Sequence, residues 1–277
     1  MNSAVFFGHT EGRKHLAFQR FNNRPLPRLR TLDRDRLICA SITIDVYTSP
    51  KEKDLSTFNP TFDGYDVVVM DYNSPGPWPE DVKTAFEKYV REGGGLVIYH
   101  AANNAFPEWK EYNEMTGVGG WHGRNEKDGP YLVWRDGEIV RVMTPGPGGG
   151  HGQQHEYALE VREPNHPITK GLPSKFMHTA DELYHRLRGP AKNVTVLTTS
   201  FSPKVNNIGT REHEPTLMTI SYGQGRVFHT VLGHGPKQLK SVAFIVTFQR
   251  GVEWAASGRV TQKVPVDMPT GEMSRER

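Results

Sequence analysis

From Ile42 onward, the apolar residues fall into two periods, the two-residue repeat of strands and the 3.6-residue repeat of helices. Ile42-Thr-Ile-Asp-Val-Tyr47 alternates apolar and polar positions, as a half-buried strand does. Tyr65-Asp-Val-Val-Val-Met-Asp71 is a continuous apolar run, the pattern of a strand covered on both faces in a parallel sheet. A helix is predicted next: Pro79 stands in its first turn beside Glu80 and Asp81, Val82, Phe86, Tyr89 and Val90 repeat at helical spacing, and Gly93-Gly-Gly95 stops it. Leu96-Val-Ile-Tyr-His100 is a second buried strand. Strand, helix and strand joined by short connections predict an α/β fold, a doubly wound, mostly parallel sheet with helices on both faces and loop-rich insertions. Further on, Tyr157 to Val161 alternates as a strand, and Thr216 to Tyr222 and Arg226 to Leu232 flank the turn Gly223-Gln-Gly225. Lys237 to Ala256, with Leu239, Val242, Ile245, Val246, Phe248 and Trp254 apolar, predicts a long helix ending near Gly258.

Residues 1–41 read differently. They hold eight Lys or Arg against three acids, together with Pro25 and Pro27, and only Ala4 to Phe7 resembles a strand. The expected organisation is an irregular basic N-terminal segment over 1–41, a domain over 42–258 and an exposed C-terminal tail over 259–277 carrying Pro265 and Pro269. Over the whole chain, 34 basic against 31 acidic residues leave a formal charge of +3, which implies no nucleic-acid partner. No apolar run reaches the roughly 18 residues of a membrane span, so no membrane partner is expected. The single cysteine, Cys39, excludes an intramolecular disulfide and a multi-cysteine zinc site, and a cytoplasmic location is expected.

The candidate chemistry is imidazole and carboxylate. Ten of the twelve histidines follow residue 99, and these two groups serve proton transfer near neutral pH or a divalent metal. His100 stands at a strand's carboxyl end, where a doubly wound sheet delivers residues to its crevice. Asn103 and Asn104 beside it suit a ligand hydroxyl or a turn cap. His155 and Glu156 open a strand and would fall on opposite faces of it. Asp181 and Glu182 lie in His178-Thr-Ala-Asp-Glu-Leu-Tyr184, and His213 lies in Arg211-Glu-His-Glu-Pro215; singly, such clusters are mostly solvated surface. His234 falls between a strand end and a helix start, where a helix amino end lowers imidazole basicity. Trp121 fits core packing as well as ring stacking. The run Pro145-Gly-Pro-Gly-Gly-Gly-His-Gly152 lacks the Lys-Ser or Lys-Thr of a phosphate loop, so no nucleotide cofactor is expected.

From about Ile42 to Pro269 the chain resembles the ThuA-like (trehalose utilisation) family. The resemblance is carried, in order, by Tyr65-Asp-Val-Val-Val, Trp78-Pro-Glu, Gly93-Gly-Gly-Leu-Val, His100-Ala-Ala-Asn-Asn-Ala-Phe, the 145–152 glycine run, Gln154-His-Glu, His166-Pro-Ile-Thr-Lys-Gly-Leu, Asp181-Glu-Leu-Tyr, His213-Glu-Pro and Leu232-Gly-His. It implies a class I glutamine amidotransferase-like, flavodoxin-like fold. Glutaminase chemistry is not expected, because that reaction needs a cysteine at a strand-to-helix elbow and this chain has His100-Ala-Ala there. The resemblance implies sugar catabolism: cleavage of a 3-keto glycoside or disaccharide by base-assisted elimination and hydration, beside a sugar oxidoreductase of the same pathway. The alternative is a non-catalytic carbohydrate-binding or regulatory protein that retains the crevice. On this reading His100, His155 and His234 are metal ligands or proton carriers, with a divalent metal as candidate cofactor. Glu156, Asp181 and Glu182 are acid/base groups or their partners, and Asn103, Asn104, Trp121 and His213 bind the sugar. A homo-oligomer is compatible with all of this. The three-histidine metal set requires those imidazoles to converge on one point.

Overall fold

A computed structural model of the chain describes residues 2–8, 42–48, 55, 58–73 and 76–277. Among them, eleven strands join in one sheet: β1 (Asn2–Gly8), β2 (Ile42–Thr48), β3 (Val67–Asp71), β4 (Gly95–Tyr99), β5 (Tyr131–Arg135), β6 (Glu138–Val142), β7 (His155–Val161), β8 (Lys175–Asp181), β9 (Val194–Phe201), β10 (His213–Tyr222) and β11 (Gly225–Thr230). The order is β2-β1-β3-β4-β11-β10-β9-β7-β8, with the β5–β6 hairpin attached to the start of β10. Pairing is parallel from β2 to β11 and antiparallel from β11 to β8, so the fold is mixed α/β. The antiparallel half departs from the doubly wound expectation. It follows from the Gly223-Gln224 turn, which reverses the chain between β10 and β11 and leaves no room for a crossover.

The N-terminal expectation needs correction at its start. Residues 2–8 form a strand paired parallel with β2 on one side and β3 on the other, inside the sheet. The remainder of that basic segment lies outside the described residues.

The parallel strands read from the sequence form where their apolar runs allow burial on both faces. All of Val67 to Met70 and Gly95 to Tyr99 is buried. The helix α1 (Glu80–Arg91) buries Val82, Phe86 and Val90, four residues apart, and carries acids in its first turn and bases in its last. A short helix α2 (Lys110–Thr116) follows. Trp78 lies within 6.0 Å, centroid to centroid, of Phe86, Phe106 and Trp109, and this aromatic nest fixes the segment that follows His100.

The long C-terminal helix begins later than its apolar spacing predicts. Gln238–Lys240 is a 3₁₀ turn, Ser241 is non-helical (φ −58°, ψ 130°), and α3 runs Val242–Ser257. It packs closely on β11: a Cβ at Gly251 would lie 2.1 Å from the Phe228 ring, so only glycine fits there. The 259–277 segment is not a free tail. Met268 is buried in the core, Met177 N–H donates to Thr270 O, Val242 N–H to Arg275 O and Arg277 N–H to Lys240 O. No helix among the described residues is long and apolar enough to cross a membrane.

Candidate active site

The parallel strands β4 and β11 are neighbours and end on the same edge of the sheet, which places His100 and the 231–235 segment side by side. His100 takes a left-handed backbone (φ 44°), a conformation worth about 1–3 kcal/mol of strain for a non-glycine residue, and starts the 3₁₀ turn His100–Asn104. Its Nδ1 lies 2.7 Å from Val231 O. A carbonyl can only accept, so Nδ1 carries the hydrogen and Nε2 is an acceptor. That Nε2 receives the Tyr184 hydroxyl at 2.9 Å.

The far edge of the sheet returns to this point. Asp181, the last residue of β8, is buried and accepts Gly233 N–H at 2.6 Å and His234 N–H at 3.3 Å. Its Oδ2 also meets His178 Nε2 at 2.9 Å, and His178 Nδ1 meets Ser241 Oγ at 2.9 Å. Burial pushes the Asp181 carboxyl up, but the His178 hydrogen bond and charge, with the backbone donor Gly233, outweigh it and hold the group below the ordinary range. Asp181 thus holds the His234 loop in place. Ser241, at the start of the helix, makes no side-chain cap, and its hydroxyl is engaged by His178 instead.

The next residue, Glu182, faces three imidazoles. Glu182 Oε2 lies 3.1 Å from His234 Nδ1 and 3.7 Å from both His100 Nε2 and His151 Nε2. Two residues on, and on the same side of the extended segment, Tyr184 packs against His100 (4.7 Å) and Trp121 (4.7 Å). Burial, then the charges of Glu182 and Asp181, push its phenol well up, so it stays protonated. The Asn104 side chain hydrogen-bonds the Tyr184 hydroxyl and works in the opposite direction. Trp121 and His122 both have left-handed backbones (φ 57° and 47°), and the half-buried Trp121 ring lies 6.1 Å from His151.

The expected site residues therefore divide. His100, His234, Glu182, Tyr184's neighbour Asn104, and Trp121 come together, with Asp181 directly behind them. His155 does not join: it lies in the antiparallel half, with Nδ1 on Gln153 O (3.0 Å) and its ring against Tyr157 (5.6 Å). Glu156 is exposed and accepts from Ser274 Oγ at 2.7 Å. Asn103 is buried and donates to His229 Nε2 at 3.0 Å, whose Nδ1–H is used by Thr116 O. His213 sits beside Arg162 (3.3 Å) and the Phe201 ring (5.4 Å). The helix-dipole argument for His234 also lapses, because α3 starts eight residues beyond it.

His100, Glu182 and His234 each offer one ligand atom, all within 4.8 Å of one another, and the three-histidine set is replaced by two histidines and a carboxylate. Tyr184 and His151 had no role assigned from sequence. Both lie inside motifs quoted above, and the two-residue spacing of Glu182 and Tyr184 was the available signal.

This fold, with imidazoles and a carboxylate gathered at the carboxyl ends of parallel strands, defines a mixed α/β protein with a polar side-chain cluster at that edge of its sheet. The ThuA family, described as trehalose utilisation, matches residues 24–255, and the chain belongs to it. It is 41% identical to a ThuA-like protein from Parabacteroides merdae, with a TM-score of 0.88 over 100% of this chain and 97% of that one. A ThuA-like protein from Bacteroides uniformis is 20% identical, with a TM-score of 0.58 over 92% of this chain and 91% of that one, a likeness of fold. No curated protein matches the chain significantly.

Proposed function

We propose that the protein cleaves a 3-keto glycoside or 3-keto disaccharide in the cytoplasm by elimination and hydration. One observation carries the reading: a single carboxylate, Glu182, is shared by the imidazoles of His100, His151 and His234 beside a phenol kept protonated by burial. A C3 carbonyl makes the C2 proton acidic. His151, exposed at the rim, takes that proton while the Tyr184 hydroxyl turns from His100 Nε2 to donate to the enolate oxygen. The C1–O bond then breaks, and His151 returns the proton to the leaving oxygen. In the hydration half, water adds its oxygen to C1, His151 takes the water's proton, and C2 receives it. The products are a free 3-keto sugar and the released alcohol.

Trp121 is the stacking face for the ring, and Asn104 the polar group beside it. The donor set suits a divalent cation, because the Val231 carbonyl holds the His100 hydrogen on Nδ1 and keeps Nε2 an acceptor, which now meets the Tyr184 hydroxyl and which an ion would engage in its place. His100, Glu182 and His234 would hold that ion, which supplies Lewis-acid polarisation of the C3 carbonyl when bound. The strand order β2-β1-β3-β4-β11 supports the flavodoxin-like, doubly wound reading of the parallel half.

The test follows aglycone release from a 3-keto glucoside and its unoxidised parent, with divalent metals or a chelator. Release from the keto substrate alone, lost in His151→Ala and in His100→Ala, is the expected result. No release from either, with sugar binding retained, overturns the enzymatic reading in favour of a carbohydrate-binding protein.

A further inference from the structure

The 203–209 segment is a tight hairpin standing next to the loop that carries His151. Val205 and Ile208 exchange both backbone hydrogen bonds (2.8 and 2.9 Å) around Asn206 and Asn207, which take the left-handed backbones of a two-residue turn (φ 50° and 62°). Gly209 closes the root at φ 96°, where a Cβ would lie 2.0 Å from Pro203 O. Paired residues of a hairpin present their side chains on one face, and on that face Ile208 reaches the loop that carries His151: a Cβ at Gly152 would lie 3.7 Å from Ile208 Cγ2. Gly152 is the neighbour of His151.

A second tie runs through Glu214. Its Oε1 accepts the Thr210 hydroxyl at 2.7 Å and its Oε2 accepts Arg186 N–H at 3.1 Å, joining the hairpin root to the segment that bears Glu182 and Tyr184. The hairpin is built into the site, yet Val205 and Ile208 remain 59% and 46% exposed. An exposed apolar pair beside the polar cluster gains by covering an apolar ligand surface.

We infer that Val205 and Ile208 form the wall for the leaving group, and that the preferred substrates carry an apolar aglycone, such as an aryl group, rather than a second sugar. This rests on the glycoside-cleaving reading above. The experiment compares phenyl 3-keto-glucoside with 3-keto-trehalose for turnover, and phenyl glucoside with trehalose for binding by calorimetry, in wild type and in the double variant V205N/I208N. The fully exposed Val266→Asn serves as a surface control. Both sites are exposed, and thermal melts check that the double variant is folded.

The expected result is a preference for the phenyl compounds of about tenfold or more, lost largely in V205N/I208N through a higher KM and weaker phenyl binding, and kept in the control. Equal loss for both leaving groups, or no change in the ratio, overturns the inference. A change of oligomeric state in V205N/I208N with an unchanged ratio also overturns it, and points to a contact between copies. If neither keto compound is cleaved, the glycoside-cleaving reading fails by itself. The binding ratio then still decides the wall.

Discussion

Asp181 and Glu182 are consecutive carboxylates with opposite surroundings. Asp181 is fully buried and receives three backbone N–H groups and the His178 ring, while Glu182 is partly exposed and faces three imidazoles with one close contact, to His234. The alternation of an extended chain explains the split, since adjacent side chains point to opposite sides. A carboxylate saturated with donors holds structure, and one shared among imidazoles keeps acceptor capacity in reserve. The same contrast separates His229, buried and satisfied on both ring nitrogens, from His234, exposed at the rim.

The contrast breaks most sharply at Asp181. Asp181→Ala leaves Gly233 N–H, His234 N–H and His178 without their buried acceptor, and urea unfolding is expected to show a loss of about 3–5 kcal/mol. If stability is unchanged, the structural role assigned to Asp181 is wrong. Glu182→Gln is the mirror case: activity on the keto substrate falls at least about 100-fold, and the unfolding free energy moves by less than about 1 kcal/mol.

Acid sharpens the histidine half of the comparison. Burial holds His229 down to about 4, so the unfolded chain binds that proton first. Its stabilising contribution is present above about pH 6.5 and is lost as pH falls toward 4, to a total of about 3 kcal/mol. Unfolding titrations between pH 7 and 4.5 should show this fall, and a His229→Gln variant should show a shallower one.

Glu214 gives the opposite sign. Burial pushes its carboxyl up to about 7, so the folded state keeps a proton that the unfolded state releases near 4.5. Stability is lost as pH rises from about 4.5 through 7, and Glu214→Gln should be more stable than wild type at pH 8 by about 1–3 kcal/mol and no more stable at pH 4. The smallest expected effect is at Trp121, where replacement by Ala raises KM for the sugar about tenfold with little change in kcat.

Local pattern made the parallel core legible. The runs at 67–71 and 95–99, the 80–91 helix between them and the 216–230 hairpin were all readable, because burial on two faces, helical spacing and turn residues are properties of neighbouring positions. His100 was legible for the same reason, as the residue that ends a buried strand. The start of α3 was not, because apolar spacing continues through Leu239 while the non-helical Ser241, whose hydroxyl meets the His178 ring, separates a 3₁₀ turn from the helix.

The site divides along the same line. By itself the sequence determined that imidazoles and carboxylates, and no cysteine, fall at these strand ends, and which family's motifs it carries. Which groups meet was decided by the tertiary structure. The antiparallel strands bring β8 back to the end of β11, so Glu182 joins His100 and His234 from 82 and 52 positions away in the chain. The same path leaves His155 against Tyr157, Glu156 on Ser274 and Asn103 on His229. A side chain's type is written locally, but its partners depend on the return of a distant strand, and no spacing along the chain encodes that distance.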